Sequence, residues 1–290
     1  MSLNRVIETG TYTGNGSTMT ITIGWQPVFV FIASTRNSGP TSQRGAGFKL
    51  TTMTGDDWLD LSTDGVYRTV NGVTINSTGF SVGSSLQINR NNTVFHWFAV
   101  RDGPHLDTGQ YIGSGSTNAL VHGRQPGFML VADQTDSDLY FNYTSQGNSI
   151  ARDFKDQVGS TSSGMGFYST GATTAFSLST TDNVYDWIKL YDLVGSTRHI
   201  ESGTYTGNGT NPRTITLGRQ PKWVIVVGIS ADEWGWKTDT MSSADFAYLQ
   251  TQYDWDTSGN GITIISTGFT VGSLFNDGLP RLYNYIVGYY

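Results

Sequence analysis

The chain has no cysteine, which excludes disulfides and thiol nucleophiles and removes the commonest structural zinc ligands. Charge is scarce too. Only 14 % of residues are charged, and 17 basic against 23 acidic residues leave a net charge of −6. That balance lacks the clustered lysine and arginine of a nucleic-acid footprint. No window approaches the run of about 18 apolar residues that a membrane-spanning helix needs, so no membrane insertion is expected. Met1–Arg5 carries no apolar stretch and does not read as a secretory leader. Histidine is limited to His96, His105, His122 and His199, and no Gly-X-Ser-X-Gly nucleophile elbow occurs.

What is abundant is glycine, at 36 residues, and aromatic side chains, at 13 %. Aromatic and β-branched residues suit pleated strands, glycine and asparagine suit tight turns, and this much aromatic surface argues against disorder. The composition predicts an all-β chain.

Gly-Thr-Tyr-Thr-Gly-Asn-Gly occurs at 10–16 and again at 203–209, with a worn copy, Gly-Gln-Tyr-Ile-Gly-Ser-Gly, at 109–115. Tyr12, Tyr111 and Tyr205 thus recur roughly every 95 residues, which marks one unit used three times. The glycine pairs Gly14 and Gly16, Gly113 and Gly115, and Gly207 and Gly209 are further anchors. Each copy continues into Gly-X-Gln-Pro, ending at Pro27, Pro126 and Pro221, then an apolar run: Phe29–Ile32, Phe128–Val131 and Trp223–Val226. Ser-Thr-Gly follows at 77–79, 169–171 and 266–268, and each copy closes on an aromatic strand, at 95–98, 185–188 and 283–286.

These landmarks predict three tandem antiparallel β-sandwich domains related by internal repeat, at 1–102, 103–195 (the divergent copy) and 196–290. A unit of this length can bury its own core, so three independent beads strung head to tail are expected. Thr18–Ile23 alternates polar and apolar residues as a half-buried strand does, and Gly14–Gly16 reads as a hairpin turn joining it to the strand of Tyr12. The post-proline run reads as a strand buried on both faces, with its proline before the strand and not inside it because proline cannot donate to a ladder. Between that strand and Ser-Thr-Gly the copies do not match, the pattern of a kept scaffold with diverged loops.

Chemistry is thin. His96 is replaced by Asp186 and Asn284 in the sibling copies, which argues against a catalytic histidine. Asp56, Asp57 and Asp60, then Asp133, Asp136 and Asp138, then Asp232 and Glu233 are the acidic clusters in which a glycosidase pair would have to lie. Asp133–Asp138 also loosely resembles a calcium loop, without the glycine and terminal glutamate of an EF-hand. No catalytic, cofactor-binding or metal-ligating residue is therefore expected, and the chain is not expected to be an enzyme. Trp58, Trp234, Trp236, Tyr253 and Trp255 are the candidate surface contacts, because aromatic faces stack on sugars and dominate interface hot spots; the competing reading is that they cap the core.

Thr11–Gly16, the turn before Pro27 with its aromatic strand, and Phe95–Val100 resemble a module of tailed-bacteriophage virion proteins that recurs in tail fibres and other appendages. The resemblance covers nearly the whole chain through its three copies. It implies a structural protein of the virion, assembled in the host cytoplasm, tail-associated and contacting the host surface. A capsid decoration protein is the alternative, and a polysaccharide-binding or -degrading surface protein the second alternative. Its partners would be other tail or capsid proteins and a host-surface glycan or protein, with a homo-oligomer, by analogy a trimer, as the assembly. The repeat starts at once, so a compact three-part body is expected in place of a long fibre.

Overall fold

The computed structural model describes residues 5–34, 45–62, 65–121, 123–144, 150–153, 159–174, 178–192, 199–228, 234–249, 253–256 and 259–290; of 150–153, 159–163, 248–249 and 253–256 it describes the backbone only. The described chain is almost entirely antiparallel β-structure. Copy one holds β1 (Ile7–Thr13), β2 (Met19–Thr22), β3 (Pro27–Ser34), β4 (Ala46–Leu50), β5 (Trp58–Asp60), β6 (Val66–Arg68), β7 (Val73–Asn76), β8 (Gly79–Val82) and β9 (Val94–Arg101). Copy two holds β10 (Leu106–Ile112), β11 (Asn118–Val121), β12 (Phe128–Asp133), β13 (Leu139–Tyr143), β14 (Ile150–Asp153), β15 (Gly159–Tyr168), β16 (Gly171–Thr174) and β17 (Val184–Leu190). Copy three holds β18 (Ile200–Thr206), β19 (Arg213–Thr216), β20 (Trp223–Gly228), β21 (Trp234–Thr238), β22 (Phe246–Leu249), β23 (Tyr253–Asp256), β24 (Ile262–Ile265), β25 (Gly268–Val271) and β26 (Leu282–Gly288).

Copies one and three share one topology. A six-stranded sheet, β1-β9-β3-β4-β5-β6 or β18-β26-β20-β21-β22-β23, accompanies a three-stranded sheet, β2-β8-β7 or β19-β25-β24. Copy two keeps this order, but its long β15 runs through both layers and joins them into one eight-stranded sheet, β10-β17-β12-β13-β14-β15-β16-β11.

One expected turn is corrected. Gly14–Gly16 does not close a hairpin, because β1 pairs with β9 while β2 pairs with β8 in the other sheet. The step is a corner between layers, pinned by Gly14 N–H donating to Thr93 O and Gly16 N–H donating to Asn89 O. Glycine is needed there, since a Cβ on Gly14 would lie 2.1 Å from Arg90 O, and one on Gly113 would lie 1.9 Å from Thr180 O. The kept tyrosine braces the same corner: Tyr12 Oη donates to Ile88 O, Tyr111 Oη to Leu178 O at 2.5 Å, and Tyr205 Oη to Phe275 O at 2.6 Å. Each also stacks on the closing strand, against Phe95, Tyr185 and Tyr283 at 5.1, 4.8 and 5.1 Å. The three tyrosines occupy equivalent surroundings.

The post-proline strands are buried on both faces, as their unbroken apolar run predicts. The two faces belong to different cores. Val30 and Ile32 point into the core of copy one, with Phe80, Val82 and Trp97. Met129 and Val131, and Val224 and Val226, do the same in copies two and three. The alternate residues, Phe29 and Phe31, Phe128 and Leu130, Trp223 and Ile225, meet in one further core built from all three copies. Phe98 stacks on Trp223 at 4.6 Å, Phe31 meets Trp236 at 4.7 Å, and Phe141 meets Trp234 at 4.2 Å. The copies are not independent beads. Their large sheets back onto a shared apolar centre, where a cavity of about 30 Å³ remains among Phe31, Phe98, Leu130, Ile188, Trp223 and Trp236.

Candidate functional site

Of the aromatic residues expected as surface contacts, Trp58 and Trp236 are buried and Trp234 is half-buried. Trp58, on β5, is wholly buried in the core of copy one. Trp236, on β21, is 3 % exposed and packs against Phe31 and Phe98 in the shared core. Trp234 is half-buried on the same face of β21, edge-on to Phe141 of copy two. Gly235 points the other way and leaves room for Phe275. The Trp-Gly-Trp stretch is thus a strand of period two, not a loop, and its tryptophans serve packing between copies. Tyr253 and Trp255 fall on β23, and their side chains lie outside the described residues.

Asp60, Asp133 and Asp136 are each engaged by protein donors. Asp133 Oδ1 accepts from the N–H groups of Thr135 (2.8 Å) and Asp136 (3.2 Å), and Asn183 Nδ2 donates to Asp133 Oδ2 (2.9 Å) and Asp136 Oδ2 (2.7 Å). This is an Asx turn with an amide clamp. Asp60, fully buried, accepts from Arg68 Nε at 2.6 Å and from Ser62 N–H at 2.9 Å. Asp232 and Glu233 lie outside the described residues. Among the described residues no group of three or more His, Cys, Asp or Glu could hold a metal ion.

Polar residues weighed in the sequence only as a catalytic position, His96, Asp186 and Asn284, lie at the seams between copies. His96 of β9 places Nδ1 2.8 Å from Thr240 Oγ1 of copy three, and Thr9 Oγ1 donates to Asp239 Oδ1 at 2.6 Å beside it. Burial, with nearby Lys237 adding to it, pulls the His96 pKa down to about 4. The equivalent Asp186 of copy two accepts from Gln134 Nε2 at 2.6 Å and faces Lys49 and Tyr67 of copy one; burial raises its pKa. Asn284 of copy three lies with Ser202, Gly203 and Thr204 across a cleft of about 240 Å³ from Tyr143 and Thr144 of copy two. Near this last seam Ser202 donates its N–H and Oγ–H to Asp192 at 2.8 and 2.7 Å, and the His105 and His199 rings meet edge-on at 5.7 Å. The closing strand of one, two and three therefore meets three, one and two in turn. This is a closed ring with pseudo-threefold order.

Buried lysines are a second feature missed in the sequence. Lys49 Nζ, at the end of a side chain pinned in β4, donates to the carbonyls of Met53, Thr54, Gly55 and Asp57 at 2.7–3.3 Å. Lys237, its counterpart in β21, gathers the carbonyls of Ser242, Ser243 and Asp245. Aligning Phe48-Lys49 with Trp236-Lys237 would have found the pair, but the mismatched loops around them hid the register.

Two kept turns remain exposed. In each copy the Gly-X-Gln-Pro glycine donates its N–H to the threonine carbonyl of Ser-Thr-Gly: Gly24 to Thr78 at 2.9 Å, Gly123 to Thr170 at 2.9 Å, Gly218 to Thr267 at 3.1 Å. The two turns therefore lie side by side three times around the ring. These features together define an all-β chain whose three copies close into a ring. The chain matches no protein-family model and no curated protein.

Proposed function

We propose that this chain is a structural protein of a bacteriophage virion, a tail-associated appendage that meets the host surface. The observation that carries the reading is what the three copies keep. Tyr12, Tyr111 and Tyr205 brace corners, Gly14 and Gly113 permit close backbone approach, and the equivalent positions Phe98, Ile188 and Ile286, and Phe29, Phe128 and Trp223, stay apolar and meet in the shared core. Every one of these roles is architectural. The residues named here supply no general base or metal site, which favours display over turnover. The opening motif and the closing aromatic strand resemble those of tailed-phage modules, which favours the virion as the setting.

Capsid decoration is the second reading, because a pseudo-threefold ring also suits the threefold positions of a shell lattice. Electron microscopy of the intact particle tests both. Density for this ring at the tail supports the appendage, density on the head lattice supports decoration, and a particle without the ring removes the proposal. Enzymatic breakdown of polysaccharide would require Asp56, Asp57, Asp136, Asp138, Asp232 or Glu233. Activity lost on changing these to alanine would revive it.

A further inference from the structure

Gln26, Gln125 and Gln220 are identical in all three copies, exposed, and have no side-chain hydrogen bond among the described residues. The same holds for Ser77, Ser169 and Ser266 and for Thr78, Thr170 and Thr267. The fold explains their glycine and proline neighbours. A Cβ on Gly79, Gly171 or Gly268 would lie 2.0–2.4 Å from the carbonyl oxygen of Ile21, Leu120 or Ile215, and Pro27 opens its strand. It does not explain the polar side chains. None of the serines or threonines takes a positive φ, so the turn accepts nearly any residue there. A position before proline restricts the backbone, not the side chain.

Shared descent alone is a poor account, because copy two is the worn one. It has replaced Thr13 by Ile112, Asn15 by Ser114 and the Phe80 position by Ala172, yet it keeps Gln125, Ser169 and Thr170. We propose that these three amide-and-hydroxyl clusters form one interaction surface, which seats the ring on a threefold-symmetric protein partner, one chain per partner trimer. The inference rests on the virion reading above. Its chemistry is specific: an amide and two hydroxyls offer donors and acceptors without charge, which suits backbone or amide groups on the partner. Its geometry is specific as well. Three sites that share the same glutamine, serine and threonine on a closed pseudo-threefold ring match a partner that offers one chemistry three times about an axis, and linked weak sites reinforce one another.

The test is a reconstruction of the particle at the position of this chain, without imposed symmetry, with occupancy compared between the native chain and the Gln26→Ala/Gln125→Ala/Gln220→Ala variant. Expected is one ring per three partner subunits with these turns at the contact. Each lost amide should weaken binding roughly fivefold, so the triple variant should lose on the order of 100-fold in affinity. Its melting temperature should not change, since the side chains are exposed; single Gln→Ala variants, with proportionately smaller losses, check the same point one site at a time. A ring present on the particle with these turns facing solvent or an asymmetric partner, or a triple variant of undiminished occupancy, overturns the inference and leaves the virion reading standing. Neutral oligosaccharide bound by the native ring and lost in the triple variant also overturns it, in favour of a glycan site. A particle without the ring overturns both.

Discussion

Tyr12 contributes twice at one point, through the ring stacked on Phe95 and through the hydroxyl donated to Ile88 O. Tyr12→Phe keeps the stack and orphans a buried carbonyl, so it should cost about 1–2 kcal/mol in urea unfolding, and Tyr205→Phe the same. An unchanged midpoint in both would mean that water replaces the hydroxyl. His96 gives the residue scale a pH dependence. Its folded pKa of about 4 lies below the usual value near 6.5. The unfolded chain therefore binds the proton first, so the stability contribution is whole above pH 6.5 and is lost as pH falls towards 4. Over that window the loss should reach roughly 2–3 kcal/mol. His96→Asn, which installs the residue found at Asn284, should shrink the difference between pH 7 and pH 4.5 without abolishing it, since burial also pulls the His105 pKa down to about 4; equal slopes in both proteins would place the acid sensitivity elsewhere.

Strands and turns show where the sequence could be read and where it could not. The post-proline strand was legible because a short apolar run between turn residues has no solvent face. Phe29 and Val30 carry no mark, however, that says which core each enters. Gly14-Asn15-Gly16 signals a turn correctly but not its partner strands, since a layer corner and a hairpin demand the same backbone freedom. Trp234 and Trp236 were mistaken for a surface cluster because β21 is short and unmatched polar segments precede and follow it. Their two-residue spacing around Gly235 was the missed clue. The β4 lysine is an element-scale device of the same hidden kind: one ammonium group gathers four carbonyls and fixes the following loop. Lys49→Met would fill the space and leave those carbonyls without their donor, at a cost of roughly 2–3 kcal/mol. The check is chemical denaturation beside Lys237→Met, which should lose a similar amount; neutrality in both would show the loops to be self-supporting.

At the scale of the whole molecule, the shared core decides how the chain folds. Residues 1–102, expressed alone, would present Phe29, Phe31, Phe48, Leu50, Phe98 and Val100 to water. Uncovering a large apolar side chain costs about 1.5–3 kcal/mol, so these six alone put roughly 9–18 kcal/mol at stake. The total stability of an ordinary domain is about 5–15 kcal/mol. The first copy alone should therefore not persist as a folded monomer, but aggregate, self-associate or bind a hydrophobic dye. The intact chain should unfold in one cooperative transition in which tryptophan fluorescence and far-ultraviolet circular dichroism coincide, because Trp223 and Trp236 report the shared core and the strands report all copies. The same burial bears on assembly. The inward faces that three separate chains would use to form a trimer are already consumed within one, so light scattering should give a mass near 31.6 kDa for the isolated protein. A monodisperse, cooperatively folding 1–102 fragment would show that each sandwich suffices for itself, and that the central packing adds contact without necessity.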